Sequence, residues 1–132
     1  MTIVVDASVL VAALIDSTAT GAWATALLRS DSLAAPGHVH AEAANVLRRS
    51  ALASQISHDI ASWAHADLTK LRLDLTHYEP LSARIWELRS SVTVYDAWYV
   101  ALAEALDVPL ATLDRRLANA HGPRCTFLTP ED

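Results

Sequence analysis

Thr2-Ile3-Val4-Val5, closed by Asp6, constrains the fold more than any other stretch of the chain. All four residues are β-branched and none is charged, so the run offers no polar face to solvent. A strand of this kind is buried on both sides, as in a parallel sheet covered by helices. The remaining segments supply the covering. Ser8 to Ile15 and Gly21 to Arg29 read as helices, with Asp16-Ser17-Thr18 breaking one from the other. Ser32 to Ala35 reads as a second strand, stopped by Pro36-Gly37. From His38 to Leu52 a helix is predicted, because Val39, Ala43, Val46, Leu47 and Ser50 recur at helical spacing.

Ser57 is a good N-cap for a helix running to Leu68, and Leu71 to Leu75 alternates like a half-exposed strand. Pro80 suits the first turn of a helix over Leu81 to Arg89. Asp96 is expected to open a helix from Ala97 to Leu106, followed by a strand from Val108 to Thr112, a short helix from Arg115 to Ala120, and an edge strand from Cys125 to Leu128. Strands alternating with helices predict a three-layer α/β fold with a mostly parallel central sheet flanked by helices. No repeat, low-complexity tract or long linker divides the chain, so residues 1–132 are expected to form a single domain.

Composition removes several function classes. The lone Cys125 allows neither an internal disulfide nor a thiolate zinc site, which suits a reducing cytoplasm. The first residues lack the basic region of a secretion signal, and apolar runs such as Val9 to Ile15 fall short of the roughly 18 to 20 residues that span a bilayer, so no membrane association is expected. A net charge of −5 argues at first against nucleic acid. Yet if four of the 15 acids are metal ligands, the remaining 11 nearly balance the 10 bases.

Those four acids are Asp6, Glu42, Asp96 and Asp114. In an open parallel sheet, ligands bind outside the carboxyl ends of the strands. Asp6 follows the first strand and Asp114 follows the strand ending near Thr112, so both belong to one rim. Asp96 begins a helix. Glu42, three residues from Val39 and four from Val46, is expected on the buried face of its helix. Two carboxylates about 4 Å apart repel by roughly 4 kcal/mol at an effective dielectric near 20, so four in one pocket require a counter-charge. An all-oxygen donor set favours a hard cation, Mg²⁺ or Mn²⁺, over zinc. Each acid also has a purely structural reading. Asp96 and Asp114 would cap helices, Asp6 would close a turn, and Glu42 would pair with Arg48 or Arg49, although neither lies three or four residues away.

Four segments carry a resemblance. Val4-Val5-Asp6-Ala7-Ser8-Val9-Leu10, Glu42-Ala43-Ala44-Asn45-Val46-Leu47-Arg48-Arg49, Tyr95-Asp96-Ala97-Trp98-Tyr99-Val100-Ala101-Leu102-Ala103-Glu104 and Pro109-Leu110-Ala111-Thr112-Leu113-Asp114 resemble, in order and spacing, the motifs of PIN-domain endoribonucleases of the VapC type. The resemblance spans the chain and implies a single PIN domain over residues 1–132. It further implies Mg²⁺- or Mn²⁺-dependent RNA cleavage, and a toxin restrained by a small VapB-type antitoxin. The family's acidic ligands fall on Asp6, Glu42, Asp96 and Asp114, and its supporting polar residues on Ser8 and Thr112. The β-branched Val92-Thr93-Val94 departs from the small or polar residues usual before the Tyr-Asp-Ala segment, leaving loop and strand both open there.

The expected mechanism has Asp6, Asp96 and Asp114 as metal ligands, with Glu42 a ligand or the acceptor that orients the attacking water. Ser8 and Thr112 would fix carboxylate rotamers. Arg48 and Arg49, which end the Glu42 helix, and Arg115 and Arg116, which follow Asp114, are candidate RNA-phosphate contacts. Trp98 and Tyr99 either stack on a base or pack in the core. Trp23, Leu27 and Leu28 are either core or the lining of a groove for the antitoxin or a second subunit, and a homodimer is expected. None of the six histidines is assigned chemistry.

Other readings lack their required residues. A haloacid-dehalogenase-type phosphatase needs an aspartate where Ser8 stands. A receiver domain needs a late lysine, and the only lysine is Lys70. A nucleotide-binding loop needs clustered glycines, and the three here are scattered. The alternative that remains is a catalytically silent PIN-like module binding RNA or protein.

Overall fold

The computed structural model describes residues 1–30 and 32–131. The chain runs β1 (Thr2–Val5), α1 (Ala7–Ile15), α2 (Ala19–Ser30), β2 (Ser32–Pro36), α3 (Val39–Leu52), α4 (His58–Lys70) and β3 (Asp74–Thr76). A 3-10 turn (Glu79–Leu81) then leads into α5 (Ser82–Glu87), α6 (Val94–Leu106), β4 (Leu110–Ala111), α7 (Arg115–Ala118) and β5 (Phe127–Leu128). Among the described residues these strands form one five-stranded sheet in the order β3-β2-β1-β4-β5, and every pairing is parallel.

β1 lies at the centre, with Ile3, Val4 and Val5 almost wholly buried, as its β-branched run demands. The chain winds outward through β2 and β3, then returns past β1 to β4 and β5. Right-handed crossovers put the helices of these two halves on opposite faces. The packing agrees, since α1 to α4 contact one another while α5 packs on α6. The reversal of strand order falls between β1 and β4, where an open sheet parts its two neighbouring loops into a crevice.

α1 and α2 meet at an unusually close approach. A methyl group on Gly21 would stand 1.8 Å from the backbone oxygen of Asp16, so only glycine lets α2 leave the end of α1 at this angle. Trp23, Leu27 and Leu28 are partly buried against the core from α2. Among the described residues no single helix is long and apolar enough to cross a membrane.

Several boundaries differ from those expected. The third strand is Asp74–Thr76 rather than Leu71–Leu75, because Leu71 ends α4 by donating its N–H to the Leu68 carbonyl, and pairing with β2 starts only at Asp74. α6 starts at Val94, two residues before Asp96, because the Thr93 hydroxyl accepts from the Asp96 N–H and caps the helix. Val92-Thr93-Val94 is therefore a helix start, not a strand. α5 closes at Glu87, α7 at Ala118, and the two last strands are shorter than their apolar runs.

Candidate active site

Asp6 ends β1 in an extended conformation and caps α1, its Oδ1 accepting from the Val9 N–H at 3.2 Å and from the Ser8 hydroxyl at 2.5 Å. Its Oδ2 accepts from the hydroxyl of Thr112. The two hydroxyls also tie in the loop after β4, since Ser8 Oγ accepts from the Leu113 N–H at 3.1 Å and Thr112 Oγ1 from the Asp114 N–H at 3.0 Å. This network fastens the end of β1 to the end of β4 across the crevice. Asp6 and Thr112 are the buried polar residues among those described. Burial pushes the Asp6 carboxyl up to about 6 against the pull of all three donors, and the charge of Glu42 adds to the rise.

Asp114 is the N-cap of α7, accepting from the N–H groups of Arg116 at 2.9 Å and Leu117 at 3.2 Å. The capping that the sequence offered as an alternative is thus real for Asp114, and Asp6, expected there only to close a turn, caps α1; both roles coexist with a place at the rim. Asp96 is different, because Thr93 does the capping and Asp96 sits one turn into α6 with its side chain turned to the crevice. Burial, then the charges of Asp114 and Glu42, hold its carboxyl above the usual range.

Glu42 reaches the same place from α3. It is half-buried and lies beside the apolar stripe of Val39, Ala43, Leu47 and Ala51 rather than within it. Its partners are neither Arg48 nor Arg49. Tyr99 Oη donates to Oε1 at 2.9 Å, and His38 Nε2 stands 3.4 Å from Oε2, at ion-pairing distance. Burial raises the Glu42 carboxyl, but these two neighbours outweigh it and keep the group below its ordinary value. Tyr99 itself is fully buried, and burial together with Glu42 holds its phenol far above the ordinary range.

Asp6, Ser8, Glu42, Asp96 and Asp114 line one open cavity of about 820 Å³ at the crevice, together with Asn45, Arg49 and Asp16. Asp16 is turned to another task, accepting from the N–H of Thr18 at 2.7 Å and its hydroxyl at 2.5 Å. The acids far outnumber the single arginine in the lining, and the Asp6 and Asp96 carboxyls are raised first by burial and then by the neighbouring carboxylates. An all-oxygen set with excess negative charge fits a hard divalent cation. Among the described residues no three such side chains close into a ready-made ligand cluster, so a cation would be held by one or two carboxylates and by water, the manner usual for Mg²⁺.

The arginines named from the sequence separate. Arg49 lines the acidic cavity, whereas Arg48 lies on a groove between α3 and α4. Arg115 donates to the Pro130 carbonyl at 3.0 Å, and Arg116 lines an adjoining cavity. Trp98 packs partly into the core and stacks on His38 with ring centres 4.8 Å apart. Sequence reading passed over His38, although its position four residues before Glu42 is the spacing at which helical side chains meet. Asn45, three residues after Glu42, was legible by the same rule.

Residues 3–122 match the family described as PIN domain. The chain is 43% identical to Ribonuclease VapC1 of Mycobacterium tuberculosis over 126 residues, which cover 92% of each chain. Among solved structures it is similar to VapC20 of Mycobacterium tuberculosis, described as a sarcin-ricin loop cleaving toxin, with a TM-score of 0.66, 21% identity, and coverage of 88% of this chain and 92% of that one. It is also similar to a chain of VapBC2 from Rickettsia felis, bound to a fragment of promoter DNA, with a TM-score of 0.67, 15% identity and 98% coverage of both.

Proposed function

The chain belongs to the PIN-domain family, among its VapC-type ribonucleases, and on that premise we propose that it is a Mg²⁺- or Mn²⁺-dependent endoribonuclease acting as the toxin of a toxin–antitoxin pair. The observation that carries this reading is the shared cavity of Asp6, Glu42, Asp96 and Asp114 at the strand-order reversal. When bound, a hard divalent cation would supply the counter-charge for the phosphate and for the acids and would bring the pKa of a water towards neutrality.

The chain's own residues do the rest. Asp6, Asp96 and Asp114 are the acids that would hold the ion, one or two of them directly and the rest through bridging water. The hydroxyls of Ser8 and Thr112 bond one Asp6 oxygen each and fix its rotamer at the cavity. Glu42, kept ionised by His38 and Tyr99, is the acceptor that orients the attacking water. As the bond from that water to phosphorus forms, the bond to the leaving ribose oxygen breaks, and the buried floor of the cavity leaves little competing solvent around Asp6.

The names of the relatives support a VapB-type antitoxin as the restraining partner, and a cytoplasmic homodimer belongs to the same proposal. Asp96→Asn, which removes a charge and conserves volume, is expected to lower RNA cleavage by at least a hundredfold while leaving the circular dichroism spectrum unchanged. Cleavage is scored by mapping new RNA ends after incubation with Mg²⁺. Full activity in that variant, or in excess chelator, sinks the reading.

A further inference from the structure

A second open cavity, of about 560 Å³, adjoins the acidic one. Asp96 and Asp114 line both, so the two share a wall of carboxylates. The lining of the second cavity also carries the opposite charge, from Arg89 and Arg116, and two hydroxyls, those of Ser90 and Ser91. Arg116 is placed by its own backbone, whose N–H bonds Asp114. Arg89 is held by Trp86, with the guanidinium carbon 4.6 Å from the ring centre and Nη1 donating to the Trp86 carbonyl at 2.7 Å. Among the described residues neither guanidinium has a carboxylate within ion-pairing distance.

A guanidinium has five N–H donors in a planar fork, and the Trp86 carbonyl takes one donor of Arg89. Two such groups in one concave site, one of them held in place by an aromatic ring, favour an anion with several acceptor oxygens, as a phosphate has. A strand leaving the cation site for this cavity passes Asp96 and Asp114, which repel its next phosphate, and the two arginines of the same lining supply the compensating attraction. Entering two separate depressions requires a flexible single strand, not a stiff duplex. We propose that this cavity binds the phosphodiester next to the one that is cut, in single-stranded RNA that passes over Asp96 and Asp114. The assignment rests on the ribonuclease reading.

The test uses the full chain and a fluorescein-labelled, mixed-sequence single-stranded RNA oligonucleotide, with Ca²⁺ in place of Mg²⁺ to suppress cutting. Binding is followed by anisotropy over a range of NaCl concentrations. Arg89→Gln and Arg116→Gln are each expected to lower the slope of log K against log salt by about 0.7, the value for one single-strand phosphate contact, and to weaken binding roughly tenfold. Arg89→Lys and Arg116→Lys should restore the slope, and Arg72→Gln, on a cavity at the far end of β2, should leave it unchanged. Unchanged slopes, an equal loss in Arg72→Gln, or a wild-type chain that binds an acidic peptide and not RNA would each overturn the assignment. Cleavage by the wild-type chain in Mg²⁺ is scored separately. A chain that binds RNA through both arginines without cutting it fails the ribonuclease reading alone, and one that cuts RNA with unchanged slopes fails the cavity assignment alone.

Discussion

Asp6 accepts hydrogen bonds from Ser8, Val9 and Thr112 and still ionises only near pH 6, because burial outweighs its donors. Its value in the unfolded chain is near 3.8, so folding favours the protonated acid. Stability of the cation-free protein should therefore fall as pH rises from about 4 through about 6, by about 3 kcal/mol for a shift of this size. Asp96, raised by burial and by Asp114, acts in the same sense. Glu42 is lowered, and its contribution is complete above its ordinary 4.5 and is lost as pH falls through its folded value, outside most of that window. Asp6→Asn should remove the larger part of the fall. In chelator its melting temperature should exceed that of the wild-type chain at pH 7 and approach it near pH 4, as read by circular dichroism. Parallel melting curves across that range would rule out Asp6 as the source. The sequence disclosed Asp6 through its place after a buried strand, but not the height of its pKa, which burial sets against the opposing pull of hydroxyls 2 and 106 residues away.

At the level of elements, the join between α1 and α2 depends on one glycine. Gly21→Ala drives a methyl group into the Asp16 carbonyl, which is backbone and cannot swing aside. The substitution should cost about 1 to 3 kcal/mol, the usual range for overpacking, despite alanine's higher helix propensity. A denaturation midpoint equal to that of wild type would show that α2 can tilt away freely. Elements whose limits are set locally were legible. Ser57 caps α4 as its sequence position indicated, and the apolar run of β1 appears without change. Elements limited by their neighbours were not. Leu71 to Leu75 alternates correctly for a strand, yet its first half serves α4 and the core, because β2 offers pairing partners only from Ala34 to Pro36. The start of α6 was misplaced for a different reason, since the chain offers two capping residues, Thr93 and Asp96, and only the geometry of the turn selects Thr93.

For the whole molecule, the proposed cation, held among acids gathered from β1, α3, α6 and the start of α7, would make binding and stability one equilibrium. A ligand held by the folded chain alone stabilises it by mass action. Mg²⁺ is therefore expected to raise the melting temperature, more at pH 7 than at pH 5, where Asp6 is largely protonated and unavailable. Asp96→Asn should reduce that increment, and an increment of equal size at both pH values would count against Asp6 as a ligand. The chain order of hydrophobic runs and helical stripes determined the α/β class and the parallel sheet, because burial on both faces is written into composition residue by residue. The positions of Asp6 and Asp114 at strand ends also determined their common rim. What only the tertiary structure decided were contacts between segments distant in the chain, where many partners satisfy the same local pattern. It paired Glu42 with Tyr99, tied Arg115 to Pro130, and brought Arg89 and Arg116 to the lining of one cavity. The four acids could be chosen from the sequence because their spacing follows strands and helices, whereas their protonation and their cationic surroundings follow from packing, which no single stretch of the chain encodes.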